Sequence, residues 1–276
     1  VSRELGAACL AAAQAGAQVL LDLYERPRDI QLKGRIDLVT DADRAAEERV
    51  LAVLRQAAPG VKVLAEESGE HGLGDARFLV DPLDGTTNYA HGLPLFCCTV
   101  AAEVGGELVA GCTVDPMRGE TFFAVRGEGA VLRRGGTERA LRVTAVTQLV
   151  QALVCTGFPY GDREKLPEMI AGFGRFTELS RGTRRLGSAA IDLAYVAAGR
   201  LDAFWEQGLK PWDVAAGKLL VEEAGGLVTR FDGAPLALAG NEIAASGPGL
   251  HAAMLQVLRE ARATSREVPP AFPSAR

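Results

Sequence analysis

Phe78-Leu79-Val80-Asp81-Pro82-Leu83-Asp84-Gly85-Thr86-Thr87-Asn88 is the stretch on which the reading of this chain turns. The apolar run 78–80 reads as a short buried strand that delivers Asp81 at its end. Pro82 sets a rigid turn, and Asp84 returns a second carboxylate three residues on, where the pair can face one cation or bridge two. Gly85, Thr86 and Thr87 open a helix, whose free N–H groups and positive dipole end suit a phosphate. The same residues also suit a solvated turn followed by a helix cap. Other acids shift the balance toward chemistry. Asp43 closes the segment 37–43, Glu66-Glu67 follows a strand over 61–64, and Asp213 follows Pro211-Trp212 at the head of a helix. Four acidic clusters thus adjoin predicted element ends.

Outward from this centre, residues 3–24 carry Leu5, Cys9, Leu10, Ala13, Val19, Leu20 and Leu23 without proline, a helix ended near Pro27. A second helix starts at Asp41 or Asp43 and stops at Pro59-Gly60. Over 97–132, apolar runs broken at 105–106, 115–116 and 127–129 predict successive antiparallel strands, with one of Cys97 and Cys98 facing the core. Beyond 147 the chain alternates: strand 153–155, helix 165–176, helix 188–198, strand 202–205, a helix following Asp213 to Gly225-Gly226, strands near Val228 and Ile243, and a last helix over 250–261. The pattern divides into an N-terminal α+β half, 1–146, a C-terminal α/β half, 147–263, and a loose tail, 264–276, with three prolines. The boundary marks a change of pattern, not independent folding.

The bulk composition narrows the function. The 276 residues are 48% hydrophobic, 24% charged and 6% aromatic, the profile of a globular chain with a sizeable core. A net charge of -5 argues against a nucleic-acid partner, which needs a basic surface. An acidic chain that binds phosphate needs a local device, a helix N-terminus or bound cations. Five cysteines, Cys9, Cys97, Cys98, Cys112 and Cys155, show no C-x-x-C spacing, so the reducing cytoplasm is the expected compartment. No apolar run is expected to span a bilayer, and no membrane partner is expected.

Taken together, Asp81-Pro-Leu-Asp-Gly-Thr-Thr-Asn88, Trp212-Asp-Val-Ala-Ala-Gly217, Glu66-Glu67-Ser68 and Asp37-Leu-Val-Thr-Asp-Ala-Asp43 resemble the inositol monophosphatase family, within the lithium-sensitive, magnesium-dependent phosphatases. Order and spacing match from about residue 5 to residue 260. The resemblance implies a layered α-β-α-β-α sandwich, a homodimer, lithium sensitivity and two or three Mg²⁺ per site. It further implies that Glu66, Asp81 and the Leu83 carbonyl hold one Mg²⁺, and that Asp81, Asp84 and Asp213 hold a second. Asp43 with Glu66 is the place for a weaker third, reached through water. Hard oxygen donors suit that ion. The implied reaction is in-line attack on a small sugar or polyol phosphate monoester, inositol monophosphate above all, by a metal-activated water oriented by Thr86 and Glu66. The N–H groups of Gly85 and Thr86 hold the phosphate.

For the substrate's remaining contacts the resemblance points to Asp84, Asp213, Glu206, Gly187, Ser188 and Ala189, although Glu206 also suits a surface carboxylate and Ser188 a helix cap. Arg181, Arg184 and Arg185 read as a solvated face, or as guides for a phosphate or a subunit contact. Trp212, Phe204 and Trp205 read as packing that holds Asp213. Lys33 stands where family members carry a basic residue, and His91 is the histidine nearest the site. The related readings are phosphatases of the same superfamily acting on fructose 1,6-bisphosphate, histidinol phosphate or a nucleotide 3′-phosphate. From another class comes a regulatory module binding a protein or RNA partner.

Overall fold

The computed structural model describes residues 1–25, 30–32, 38–158, 164–240 and 242–267; Pro27, Lys33 and Asp37, and the tail from residue 268, lie outside them. Helix α1 (Ser2–Leu23) buries Leu5, Cys9, Ala12, Ala13, Gly16 and Leu20, one face at three- and four-residue spacing. By length and composition α1 is apolar enough to cross a membrane, contrary to the expectation from sequence. Half of its apolar window is buried within the fold, since small residues let it lie close on its neighbours. After a two-stranded ribbon of β1 (Ile30–Leu32) and β2 (Leu38–Thr40), α2 (Asp41–Ala57) opens on a capping box: the Thr40 hydroxyl accepts from Ala42 N–H and Asp43 Oδ2 accepts from Thr40 N–H at 2.7 Å. The cap fixes the start that acidic residues alone left between two positions.

The strands β3 (Lys62–Ala65), β4 (Gly69–His71) and β5 (Ala76–Asp84), the short helix α3 (Thr86–Ala90), and β6 (Cys97–Val104), β7 (Glu107–Asp115), β8 (Glu120–Val125), β9 (Gly129–Arg134) and β10 (Thr137–Ala140) complete the first half. Its sheet runs β10-β9-β8-β7-β6-β5-β3-β4, antiparallel except where β3 lies parallel to β5. The second half follows with β11 (Leu153–Thr156), α4 (Leu166–Leu179), β12 (Gly182–Arg184), α5 (Ala189–Ala197), β13 (Ala203–Gln207), α6 (Pro211–Glu223), β14 (Leu227–Thr229), β15 (Glu242–Ser246) and α7 (Pro248–Glu267). Its sheet runs β12-β11-β13-β15-β14.

Packing orders these elements into five layers. Helices α1 and α2 cover one face of the large sheet, α5 and α6 lie between the two sheets, and α4 and α7 pack together beyond the second. This is the alternating α-β-α-β-α sandwich expected. The middle layer joins the halves: Leu79, Phe122 and Leu132 of the first share one apolar cluster with Leu193, Phe204 and Leu219 of the second.

Four expectations are corrected. Strand β5 does not stop at Val80 but continues to Asp84, and its pairing with β6 shifts register between Asp81 and Asp84. Pro82 therefore sits in a bulge, where its missing N–H removes no ladder bond. Cys97 and Cys98 are both buried, because helices cover both faces of the sheet. Helix α6 begins at Pro211, so Asp213 is its third residue and closes its cap. Helix α7 extends through Thr264 to Glu267, with Ser265 Oγ donating to Arg262 O, where a loose tail was expected.

Candidate active site

Strand β5 is the spine of the site. Its bulge turns Asp81 and Asp84 toward the same end of the sheet, and Glu66, just past β3, is held beside them by its N–H donating to Val80 O at 3.1 Å. Gly85 then caps α3 at φ +96°, and a Cβ there would lie 2.9 Å from Leu95 O, so only glycine makes this turn without strain. From the second half, the N-terminus of α5 presents its cap Ser188 and Ala189, α6 presents Asp213, and β13 carries Glu206 one residue before its end. A cavity of about 610 Å³ brings together Glu66, Asp81, Leu83, Asp84, Gly85, Thr86, Gly187, Ser188, Ala189, Glu206 and Asp213.

Hydrogen bonds hold the acids in place. Asp84 Oδ2 accepts from Ser188 Oγ at 2.7 Å and from Ala190 N–H at 2.6 Å, which joins the two halves through one carboxylate. Ser188 also caps α5, its hydroxyl accepting from Ile191 N–H at 3.4 Å, so both of its expected roles coexist. Asp213 Oδ2 accepts from Lys210 N–H at 2.7 Å, and Asp81 Oδ1 from Leu83 N–H at 3.0 Å. Asp43 stands apart: it is 0% exposed, lies behind Thr86, and accepts the Thr86 hydroxyl on Oδ1 at 3.2 Å. The same hydroxyl lies 3.0 Å from Leu83 O.

Electrostatically the site is strained. Burial, then the charges of Glu66, Asp84 and Asp213, pushes the Asp81 carboxyl well above the usual range. Asp213 is raised by burial and by Asp84, and Asp84 reaches about 6, burial outweighing the Ser188 and Ala190 hydrogen bonds. Glu206 is raised by burial and by Asp192. Among the described residues no three His, Cys, Asp or Glu side chains already stand as a finished metal cage. The donor set nevertheless fits Mg²⁺: it is all oxygen, drawn from Glu66, Asp81, Asp84, Asp213 and the Leu83 carbonyl, and its mutual repulsion is what a divalent ion offsets.

The model of the inositol monophosphatase family matches residues 2–263. The chain belongs to that family. Inositol-1-monophosphatase of Synechocystis sp. is 42% identical over 247 residues, spanning 88% of this chain and 84% of the relative. The Nus factor SuhB of Pasteurella multocida is 42% identical over 241 residues, 86% of this chain and 89% of the relative. The crystal structure of the extragenic suppressor protein suhB from Bartonella henselae matches with a TM-score of 0.86 at 38% identity, over 92% of this chain and 97% of that one. Homology on this scale supports a Mg²⁺-dependent phosphomonoesterase, and the layered fold is the family's.

Within this family member the cavity also takes residues the sequence reading passed over, among them Gly157, Lys165, Asp192, Gln207 and Lys210. Asp192 is 1% exposed and its Oδ1 has no hydrogen-bond partner. A signal existed, since it is the one charge in the buried helix Ala189–Ala197. Gly157 left none: a Cβ there would meet the Glu206 carboxylate at 2.2 Å, a closeness visible only in three dimensions. Trp212 lines the cavity, whereas Phe204 and Trp205 are packed in the core. Of the basic group, Arg185 lines the cavity, and Arg181, just before β12, and Arg184, its last residue, are exposed. His91 caps the C-terminus of α3 and is exposed.

Proposed function

We propose that the chain hydrolyses a small sugar or polyol phosphate monoester, inositol monophosphate first among them. One observation carries the reading: acids from β5, α6 and the end of β3 share a cavity of about 610 Å³ with the Gly85–Thr86–Thr87 turn and with Glu206. Glu66, Asp81, Leu83, Asp84 and Asp213 would hold two Mg²⁺, with a third near Glu66 and Asp43; the ions supply charge for the phosphate and acidify a bound water.

The chain's own groups do the positioning. Thr86 Oγ1 lies within donating distance of Leu83 O at 3.0 Å and of Asp43 Oδ1 at 3.2 Å; its one proton serves these acceptors, and its oxygen is left to accept from an attacking water and aim it. Glu66, beside Asp81 in the same cavity, shares that orienting role. The N–H groups of Gly85 and Thr86 receive phosphate oxygens, where charge builds in the transition state. Glu206, lodged against Gly157, accepts from hydroxyls of the departing alcohol. Ser188 keeps Asp84 aligned and places Gly187 and Ala189 along the same wall.

The test is phosphate release, with and without Mg²⁺, from inositol 1-phosphate, fructose 1,6-bisphosphate, histidinol phosphate and a nucleotide 3′-phosphate. The reading expects the first to give the highest kcat/KM, inhibition by Li⁺, and a homodimer active in the cytoplasm. Asp84→Asn and Asp213→Asn should each cost about 10²-fold or more in kcat; folded variants with full Mg²⁺-dependent turnover would refute the assignment. A second reading, a partner-binding role, draws on the relative named a Nus factor at the same 42% identity as the phosphatase. Retention of a protein partner by the Asp84→Asn variant supports it, and failure of both forms to retain one removes it.

A further inference from the structure

The segments 84–88 and 186–190 are laced together at two points. At one, Ser188 Oγ and Ala190 N–H donate to Asp84 Oδ2. At the other, the Asn88 Nδ2 amide donates to Leu186 O at 2.8 Å and to Leu95 O at 2.8 Å. Both acceptors are carbonyls, so the amide orientation is set by chemistry, and its two protons are both used. Asn88 is 6% exposed and is not among the side chains lining the cavity. Leu186 directly precedes the Gly187–Ser188–Ala189 wall, and a Cβ on Gly187 would lie 3.0 Å from Asn88 Nδ2, so that wall rests on the amide itself.

A loop held only at Asp84 has one attachment and can pivot about it. A second attachment four residues along the facing segment removes that freedom, and with it the loss of orientation that slows a bound reactant. We propose that Asn88 is a positioning residue that fixes the 187–189 wall against the phosphate turn, and so favours esters whose alcohol carries hydroxyl groups. The inference rests on the phosphatase reading above. Asn88 touches no substrate and acts through Leu186.

The experiment compares inositol 1-phosphate with 4-nitrophenyl phosphate, whose leaving group has no hydroxyls for that wall to read, under saturating Mg²⁺. For Asn88→Ala, kcat/KM on inositol 1-phosphate should fall about tenfold more than on the aryl ester, chiefly through KM. Asn88→Ser, which keeps one donor, should recover part of the difference, and it carries the comparison if the alanine variant does not fold. Equal losses on the two esters would reduce Asn88 to a scaffold residue and overturn the proposal, as would no change on either. A wild-type chain inactive on both esters overturns the phosphatase reading itself, and the proposal with it.

Discussion

At the scale of single residues, the site depends as much on missing side chains as on present ones. Gly157 has no charge to contribute, yet it leaves the room that Glu206 occupies. Gly157→Ala should therefore displace the carboxylate and raise KM for inositol 1-phosphate about tenfold, with a smaller effect on kcat, in steady-state assays. Ser188 is the converse case, one hydroxyl serving a helix cap and a carboxylate at once. Ser188→Ala should lower unfolding free energy by about 1 kcal/mol and raise the Mg²⁺ concentration for half-maximal activity, read from denaturant melts and a metal titration. The acids themselves were legible from their motifs. Asp192 carries no such motif, and a lone acid in an apolar run is ambiguous until its burial is known.

At the scale of elements, the strands and helices follow apolar periodicity, and departures occur where tertiary contacts override a local signal. Pro82 reads as a turn, yet the bulge against β6 carries the strand past it. Away from the site, β8 is tied to the end of α5 by Arg200, whose guanidinium donates to both carboxylate oxygens of Glu120 at 2.6 and 2.7 Å and lies over the Tyr195 ring. That pairing holds the Glu120 carboxyl below its usual range. The unfolded chain thus binds the proton more readily, so the contribution is present above the ordinary glutamate pKa, about 4.3, and is lost as pH falls through the folded value. Arg200→Met should cost about 2 kcal/mol at neutral pH, less than a fully buried pair because Arg200 is part exposed, and should flatten the acid limb of the stability profile. Urea melts across pH 3 to 7 check both.

At the scale of the whole molecule, the gathered carboxylates set a conflict between folding and charge. Asp81 and Asp213 are raised and Asp84 reaches about 6, so the folded, metal-free chain holds protons that the unfolded chain releases. Stability without Mg²⁺ should then fall as pH rises from about 4 through 6, the reverse of the Glu120 contribution. Saturating Mg²⁺ should raise Tm most at the upper end of that window. Thermal melts with Mg²⁺ and with chelator decide the matter, and a Tm shift independent of pH would contradict it. The motifs and the order of most elements follow from the sequence alone, because periodicity and turn chemistry act over a few residues, and the layered class follows from the family resemblance those motifs carry. That Ser188 reaches Asp84, that Gly157 makes room for Glu206 and that Asn88 holds Leu186 emerges only in three dimensions, since these contacts join residues 49 to 104 positions apart and depend on the space between packed segments. Local pattern carries no information about distances of that kind.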